Sequence, residues 1–454
     1  MKLPEPPPSL DLLLKQLLEQ GDTVRITRLL SAPIGPTDSK GRYLPWEKLK
    51  HLKPPQDFTP KDYWFAVKSA RQKIARQLPL SDKYQQPFSF CMPDSLQKEL
   101  HWLDQNASGK ITMDQPITNP HTRDTYLVSS LIEESISSSQ LEGASTTRNV
   151  AKEMLRQGRT PTDHSERMIY NNYQAMEVIR EFCDDDLTPS MIKHLHQVIT
   201  EGTLDNDDKA GQLRGADDDI QVVDNSTGVT LHTPPQAAEL ELRLQALCDF
   251  ANAPSDDGAF IHPVIKAIIL HFMIGYDHPF VDGNGRTARA LFYWAMARHG
   301  YWLMEFVSIS RIIRQAPVKY GMAYLHTETD GNDLTYFLLH QVEVIRKGIV
   351  ALHEYLNRKV SDLEEAEKLL DSSKARGLLN HRQLMLLRHA LKNPGAHYDI
   401  QKHKTSHAIS YQTARTDLLT MADDLRLLNK RKYGKSWVFV SPSDLRKRLK
   451  NPTV

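Results

Sequence analysis

The sequence predicts a mainly helical fold with one small β-hairpin, followed by a C-terminal winged helix-turn-helix domain. Three observations carry this. Apolar residues recur at three- and four-residue spacing through most of the chain. Period-two alternation is confined to 220–223 and 229–231, either side of Asp224, Asn225, Ser226, Thr227 and Gly228, and reads as a single hairpin. From Arg376 onward the patterns run helix, helix, helix, hairpin, the order of a winged helix.

At 454 residues the chain exceeds what one core sustains, and at roughly 150 residues per domain three domains are expected. These are an N-terminal helical region at 1–115, a helical core at 116–355 and a winged-helix domain at 376–454. Hydrophobic residues at 40%, charged at 25% and aromatic at 8% describe an ordinary globular protein and exclude wholesale disorder. A net charge of +1 gives the whole chain no attraction to nucleic acid or anionic membrane. The charge is unevenly spread: residues 376–454 carry 16 Lys/Arg against 5 Asp/Glu, a net of +11, so residues 1–375 carry −10. Cys91, Cys183 and Cys248 form no CxxC pair, which argues against a disulfide framework or structural zinc and for a reducing cytoplasm. The start, MKLPEPPPSLDLLLKQLLEQ, lacks the form of a signal peptide, and no apolar run is long enough to span a bilayer, so no membrane role is expected.

Residues 1–60, rich in proline, read as one helix at 9–20 followed by irregular chain. Helices are expected at 62–78 and 94–103, ahead of a turn-prone stretch at 105–109. Leu127, Val128, Leu131, Ile132 and Ile136 mark an amphipathic helix at 124–143, ended by Gly143. Ser145 as N-cap opens another to about 156, and further helices follow at 168–182 and 189–200. After the hairpin come helices at 236–252, 263–276, 287–299, 316–327 and from 335 to about 370, the last polar on one face as a linker between domains would be. The C-terminal pattern is a helix at 382–391, a short second element, a helix at 413–428 and a strand-like KRKYGKSWVFV with Gly434 at its turn.

One loop carries chemistry. HPFVDGNGRTAR, residues 278–289, lies between VIKAIILHFMIG and ARALFYWAMA, two segments apolar enough to be buried helices. A polar loop there is costly unless it binds something. Gly283 and Gly285 allow close backbone approach, and a helix starting near Asn284 offers free N–H groups and the positive end of its dipole. Arg286 and Arg289, three apart, share a helix face, so together they suit a polyphosphate, and Asp282 suits its Mg²⁺. His278 is the loop residue able to take a proton near neutrality. Each feature alone is commonplace; the run of twelve is not.

This run resembles the signature of the Fic domain, HPFx[D/E]GNGRxxR, with every fixed position matched. GQLRGADDDIQVV is likewise similar to the approach to the hairpin, or flap, of that family. The resemblance implies an all-helical core with one flap that transfers AMP from ATP to a Ser, Thr or Tyr hydroxyl of a target protein. It implies His278 as the base, Asp282 as the Mg²⁺ ligand, and Asn284 with the amides of Gly283 and Gly285 around the phosphate oxygens. Arg286 and Arg289 then hold the β and γ phosphates, and Tyr320, in PVKYGMAY, lies against adenine.

Ser138-Ser139-Gln140-Leu141-Glu142-Gly143 resembles the same family's inhibitory motif, [S/T]xxxE[G/N]; Ser138 and Glu142 stand one helical turn apart on one face. The resemblance implies that Glu142 pairs with Arg289 and keeps that guanidinium from the γ phosphate. The hairpin at 220–231 is a candidate for pairing with an extended target segment. His262, His271 and His278 do not have the spacing of a zinc site.

A reading from another class is a DNA-binding regulator acting through the basic C-terminal winged helix, with the Fic core sensing nucleotide. Lys430, Arg431, Lys432 and Lys435 fall in the wing and Arg415 in the recognition helix, whereas Asp417, Asp423 and Asp424 interrupt that helix. The expected partners are a target protein with an acceptor hydroxyl, DNA at the C-terminal domain and a second copy of the chain.

Overall fold

The computed structural model describes residues 2–55, 58–108, 120–224, 227–254, 260–372, 377–393, 395–407, 409–433 and 436–450. They divide into two compact units, 1–352 and 353–454, and the fold is mostly helical with small strands.

The first unit opens with α1 (Leu10–Glu19) and α2 (Thr23–Ser31). The second replaces the irregular chain expected after residue 20. The Asp22 side chain accepts from the Arg25 amide at its N-terminus, and the Arg25 guanidinium grips both Asp62 oxygens at 2.9 and 3.0 Å. After α3 (Trp46–Leu49), helix α4 (Pro60–Ile74) starts from a capping box between Thr59 and Asp62.

The helix expected to reach residue 78 stops at Ile74, and β1 (Arg76–Ser81) pairs antiparallel with β2 (Pro87–Phe90). Leu78, Leu80, Phe88 and Phe90 point inward and are buried. Pro79 and Pro87 mask this alternation in the sequence, because proline is tolerated in a strand only at edges, ends or irregularities, and a register shift lies between Gln77 and Ser81.

Helices α5 (Asp94–Leu103), α6 (Pro120–Leu141), α7 (Arg148–Gln157), α8 (His164–Glu181) and α9 (Pro189–Thr200) follow. Helix α7 starts after Thr147 rather than at Ser145, whose hydroxyl faces that of Ser165 instead. The hairpin is β3 (Val222–Val223) paired with β4 (Thr230–His232). Beyond α10 (Leu240–Asn252) lie α11 (Pro263–Asp277) and α12 (Asn284–Arg298), buried almost all round, as a central pair must be. They pack on each other, and α6, α8 and α9 pack on α12. A short α13 (Ile309–Gln315), absent from the sequence reading, precedes α14 (Pro317–Thr329) and the long α15 (Thr335–Ser372), which crosses from the first unit into the second.

The second unit continues with α16 (His381–Lys392), β5 (His397–Asp399), α17 (Ile400–His407), α18 (Tyr411–Leu419), β6 (Asn429–Tyr433), β7 (Ser436–Val440) and α19 (Leu445–Lys450). Its antiparallel sheet has the order β5-β7-β6. Leu387, Ala390, Ala414, Leu418, Met421 and Phe439 fill its core with no exposed surface. The helix expected over 413–428 ends at Leu419 in a single wide turn, and Leu427 and Leu428 enter the core from the connection behind it. Gly434 and Lys435 lie outside the described residues. Among the described residues no helix is long and apolar enough to cross a membrane.

Candidate active site

The loop from His278 to Gly283 joins the two buried helices. His278 caps α11 in the left-handed region, φ 45° and ψ 57°, where a residue with a Cβ sits at a cost of about 1–2 kcal/mol. Its Nδ1 lies 3.2 Å from the Gly275 carbonyl, so that nitrogen carries the hydrogen and Nε2 is the basic one in the neutral ring. Burial lowers the His278 pKa below the ordinary imidazole value, against the Gly275 carbonyl, which favours the charged form.

Asn284 holds the loop closed. Its Oδ1 accepts from the Phe280 amide at 3.0 Å and its Nδ2 donates to the Phe280 carbonyl at 2.8 Å, so the side chain is spent on the loop's own backbone. Phe280 in turn stacks flat on His196, centroids 3.7 Å apart. His196 Nδ1 accepts from the Gly211 amide at 3.0 Å, so Nε2 is protonated and donates to the Asp282 carbonyl at 2.8 Å. Burial lowers the His196 pKa to about 4 and keeps this ring neutral. Gly283 serves the same packing: at φ 79° it begins α12, and a Cβ there would fall 2.7 Å from Thr200 Cγ2.

A cavity of about 230 Å³ opens beside this loop. His278, Gly285, Arg289, Tyr320 and Glu142 all line it, with Val222, Leu231 and Leu325 forming an apolar side. Asp282, Gly283, Asn284 and Arg286 are not on its wall. Arg286 is buried, donates to the Ile199 carbonyl at 3.1 Å and lies 3.4 Å from Asp282 Oδ2; burial lowers its pKa.

Arg289 is held from α6. Its Nε donates to Ser138 Oγ at 2.9 Å, and its Nη2 donates to the Ser138 carbonyl at 3.1 Å and to Glu142 Oε1 at 2.8 Å. The guanidinium is 1% exposed and the Glu142 side chain 34%. Burial acts to lower the Arg289 pKa, but the Glu142 carboxylate together with Tyr320 and Glu134 outweighs it and the pKa stands above its ordinary value. Oε1 also sits where a Cβ on Gly285 would be, 2.2 Å away. Glu142 thus places a carboxylate on bare backbone at the N-terminal turn of α12, a position suited to an anion.

Behind the cavity, His271 Nε2 lies 2.8 Å from the Tyr320 hydroxyl and fixes that ring; burial lowers the His271 pKa well below the usual value, and Arg289 adds to the effect. The sequence marks neither His196 nor His271 as a supporting residue, because a lone histidine on a helix has no spacing signal. Arg214, which reaches the His278 carbonyl, stands within GQLRGADDDIQVV but without a role of its own there.

Among the described residues no cluster of three or more His, Cys, Asp or Glu is placed to hold a metal. A magnesium ion that keeps its waters and binds a substrate's phosphates needs only one or two protein carboxylates. The Asp282 carboxylate, 63% exposed beside the loop, meets that requirement.

Residues 186–296 match the model of the Fic/DOC family, so the chain carries a Fic domain there. Over 77 residues, 17% of this chain, it is 38% identical to the protein adenylyltransferase Fic of Drosophila willistoni, and over 73 residues, 16% of this chain, 40% identical to that of Nematostella vectensis. The chain spans 15% and 17% of the length of these two relatives. A Fic family protein from Desulfovibrio desulfuricans G20 aligns over 78% of this chain and 98% of its own, with 16% identity and a TM-score of 0.48.

Proposed function

We propose that this chain transfers AMP from ATP to a Ser, Thr or Tyr hydroxyl of a target protein and restrains that activity through Glu142. One observation carries the reading: the Glu142 carboxylate occupies the meeting point of the Gly285 backbone and the Arg289 guanidinium, in a cavity shared with His278. The relatives' name, protein adenylyltransferase, agrees with it. The cavity wall combines the charged Glu142 and Arg289 with the apolar side chains of Val222, Leu231 and Leu325 and the ring of Tyr320, the two chemistries of a nucleotide; Glu328 also lines it. Its volume, about 230 Å³, is below the ~300 Å³ at which ligand clefts begin, and Glu142 stands in the space.

In this mechanism His278 Nε2, unprotonated because the ring is buried, takes the proton of the acceptor hydroxyl. The oxygen forms a bond to the α phosphorus as the bond to the β-phosphate oxygen breaks, and pyrophosphate departs. The Gly285 backbone and Arg289 receive phosphate oxygens once Glu142 has moved aside; Arg286, buried off the cavity wall on the Ile199 carbonyl and 3.4 Å from Asp282, supports the loop rather than reaching the β and γ phosphates. Asn284 and Gly283 act by giving the loop its shape. Asp282 would hold magnesium, which when bound neutralises phosphate charge. Tyr320, fixed by His271, faces adenine, and β3–β4 is the edge on which an extended target segment would lie.

The test is His278→Ala with α-labelled ATP and a lysate. Labelling is lost while ATP binding persists; labelling equal to the parent's would remove His278 as the base.

A second reading concerns the second unit, which we infer to be a winged helix-turn-helix that contacts DNA. Its helix and strand order and the sheet β5-β7-β6 support this. On α18, Tyr411, Gln412, Arg415 and Thr416 are exposed, while Asp417 turns inward and is buried against Asn380, Arg382 and His403. Asp417 therefore leaves the outer face of that helix free of negative charge. Arg431 and Lys432 are exposed on β6, and Lys430 lies over the Trp437 ring while pairing with Asp423.

A further inference from the structure

We propose that Arg214 is a positioning residue for His278: it binds the main chain on both sides of the imidazole and holds it in a conformation that the residue would not keep alone. The inference rests on the reading of His278 as the base. It gives a role to a residue that the sequence pattern leaves without one.

Arg214 lies ahead of β3 and is 7% exposed. Its Nε donates to the His278 carbonyl at 2.8 Å, its Nη2 reaches the Asp277 carbonyl at 3.4 Å, and its own amide donates to the Pro279 carbonyl at 2.9 Å. One residue thus takes up three consecutive carbonyls of the turn in which His278 has φ 45°. The same Nη2 also donates to the Pro235 carbonyl, just past the end of β4. The hairpin and the catalytic turn are therefore tied to one planar cation.

The chemistry explains why the residue is arginine. Carbonyls that diverge from a left-handed turn need donors fanned out in a plane, which a guanidinium supplies and an ammonium does not. The side chain spends its hydrogen bonds on carbonyl dipoles; the nearest carboxylate on this turn, Asp277, is taken by Arg243 at 2.7 Å. Without Arg214, buried carbonyls would lose their donors and the turn could relax toward the helical region, which would swing the imidazole off the cavity. A shift of about 1 Å at a reacting group costs roughly 100-fold in rate. The groups assigned to phosphate, Gly285 and Arg289, sit on α12 and are not among the Arg214 contacts, so binding and turnover should separate.

The experiment compares Arg214→Met and Arg214→Lys in a Glu142→Gly background. ATP affinity is measured by calorimetry with a non-hydrolysable α,β-methylene analogue, and turnover from α-labelled ATP across pH. With Met, turnover falls about 100-fold while the analogue's Kd changes by less than threefold. The acid limb also moves to higher pH, because Arg214 is among the groups that lower the His278 pKa; His232 acts in the same direction, and in the parent the Glu142 carboxylate acts in the opposite one. With Lys the charge stays, so the limb holds its place, yet turnover is still down at least tenfold because the fork is lost. Turnover within threefold of the background for Met, or a fall in affinity as large as the fall in turnover, would overturn the proposal. Should the Met variant fail to fold, unchanged turnover in the Lys variant overturns it equally. Failure of the reading beneath it has a different mark: His278→Ala in the same background would transfer as well as its parent, whatever Arg214 does.

Discussion

Glu142 and Arg289, 147 residues apart in the chain, meet at 2.8 Å through Oε1 and Nη2, and the same oxygen fills the space above the Gly285 Cα. A carboxylate of the chain thus stands on both an anion-binding backbone and a buried cation. Its removal has two consequences with opposite sign.

Glu142→Gly frees Arg289 for phosphate and should raise transfer at least tenfold, measured as label incorporated from α-labelled ATP. It also leaves a guanidinium that is 1% exposed without its carboxylate partner, which destabilises the folded chain. The melting temperature should therefore drop and recover at saturating ATP. Unaltered transfer, or a melting temperature indifferent to ATP, would count against the restraint.

Gly285→Ala tests the backbone half of the same site. The new Cβ collides with Glu142 Oε1 and must displace it, but it then covers the surface on which a phosphate oxygen would sit. Combined with Glu142→Gly, it should cut kcat/KM at least tenfold relative to Glu142→Gly alone. If Gly285→Ala by itself activates the enzyme as fully as loss of Glu142, the phosphate lies elsewhere.

His196 supports the loop through a neutral ring, and its folded pKa of about 4 is below the unfolded value of 6.5. A histidine with a lowered folded pKa contributes stability that is complete above the unfolded pKa and is lost as pH falls toward the folded one. Between pH 7 and pH 5 this amounts to about 2 kcal/mol. His196→Gln should unfold more readily than the parent at pH 7, with the gap narrowing at pH 5; denaturant titrations at the two pH values measure it. A gap that stays constant would mean that the ring is not held neutral. Asp277, whose pKa burial raises to about 6 despite Arg243, changes in the opposite sense but equally in both proteins.

For the second unit, the full chain should bind duplex DNA with an affinity that falls as salt rises. Arg431→Ala with Lys432→Ala should lower the slope of log K against log salt by about 2, one unit for each phosphate that is no longer neutralised. Arg415→Ala on α18 should instead alter sequence preference. Absence of salt-sensitive binding would leave this unit as a site for protein contact.

What is legible in the sequence is local. The helical period marks α9, α11, α12 and α16 to within a few residues, since burial of one face repeats every three or four positions regardless of what covers it. The run from His278 to Arg289 is legible for the same reason: loop, glycines and arginines are neighbours in sequence as well as in space. The β1–β2 hairpin is not, because Pro79 and Pro87 interrupt the alternation that signals a strand, and only burial of Leu78, Leu80, Phe88 and Phe90 reveals it. Helix α2, capped locally by Asp22 and packed through Ile26 and Leu29 against Leu17 and Phe65, spans nine residues, and the proline-rich composition of residues 1–60 hides it.

Among the site residues, spacing alone puts Ser138 and Glu142 on one face but cannot say what that face meets; the link to Arg289 comes from a family resemblance. Asn284 shows the limit from the other side. The family resemblance implies that its side chain meets the phosphate oxygens, and the folded loop turns that side chain onto Phe280. By itself the sequence determined which residues could be polar, charged or basic in one loop, because composition and period are properties of adjacent positions. Packing decided which of them are free to act: a guanidinium held by Glu142, a neutral His196 and a His278 main chain gripped from Arg214 are long-range pairings, and a pairing exists only once the chain has chosen which surfaces to bury together.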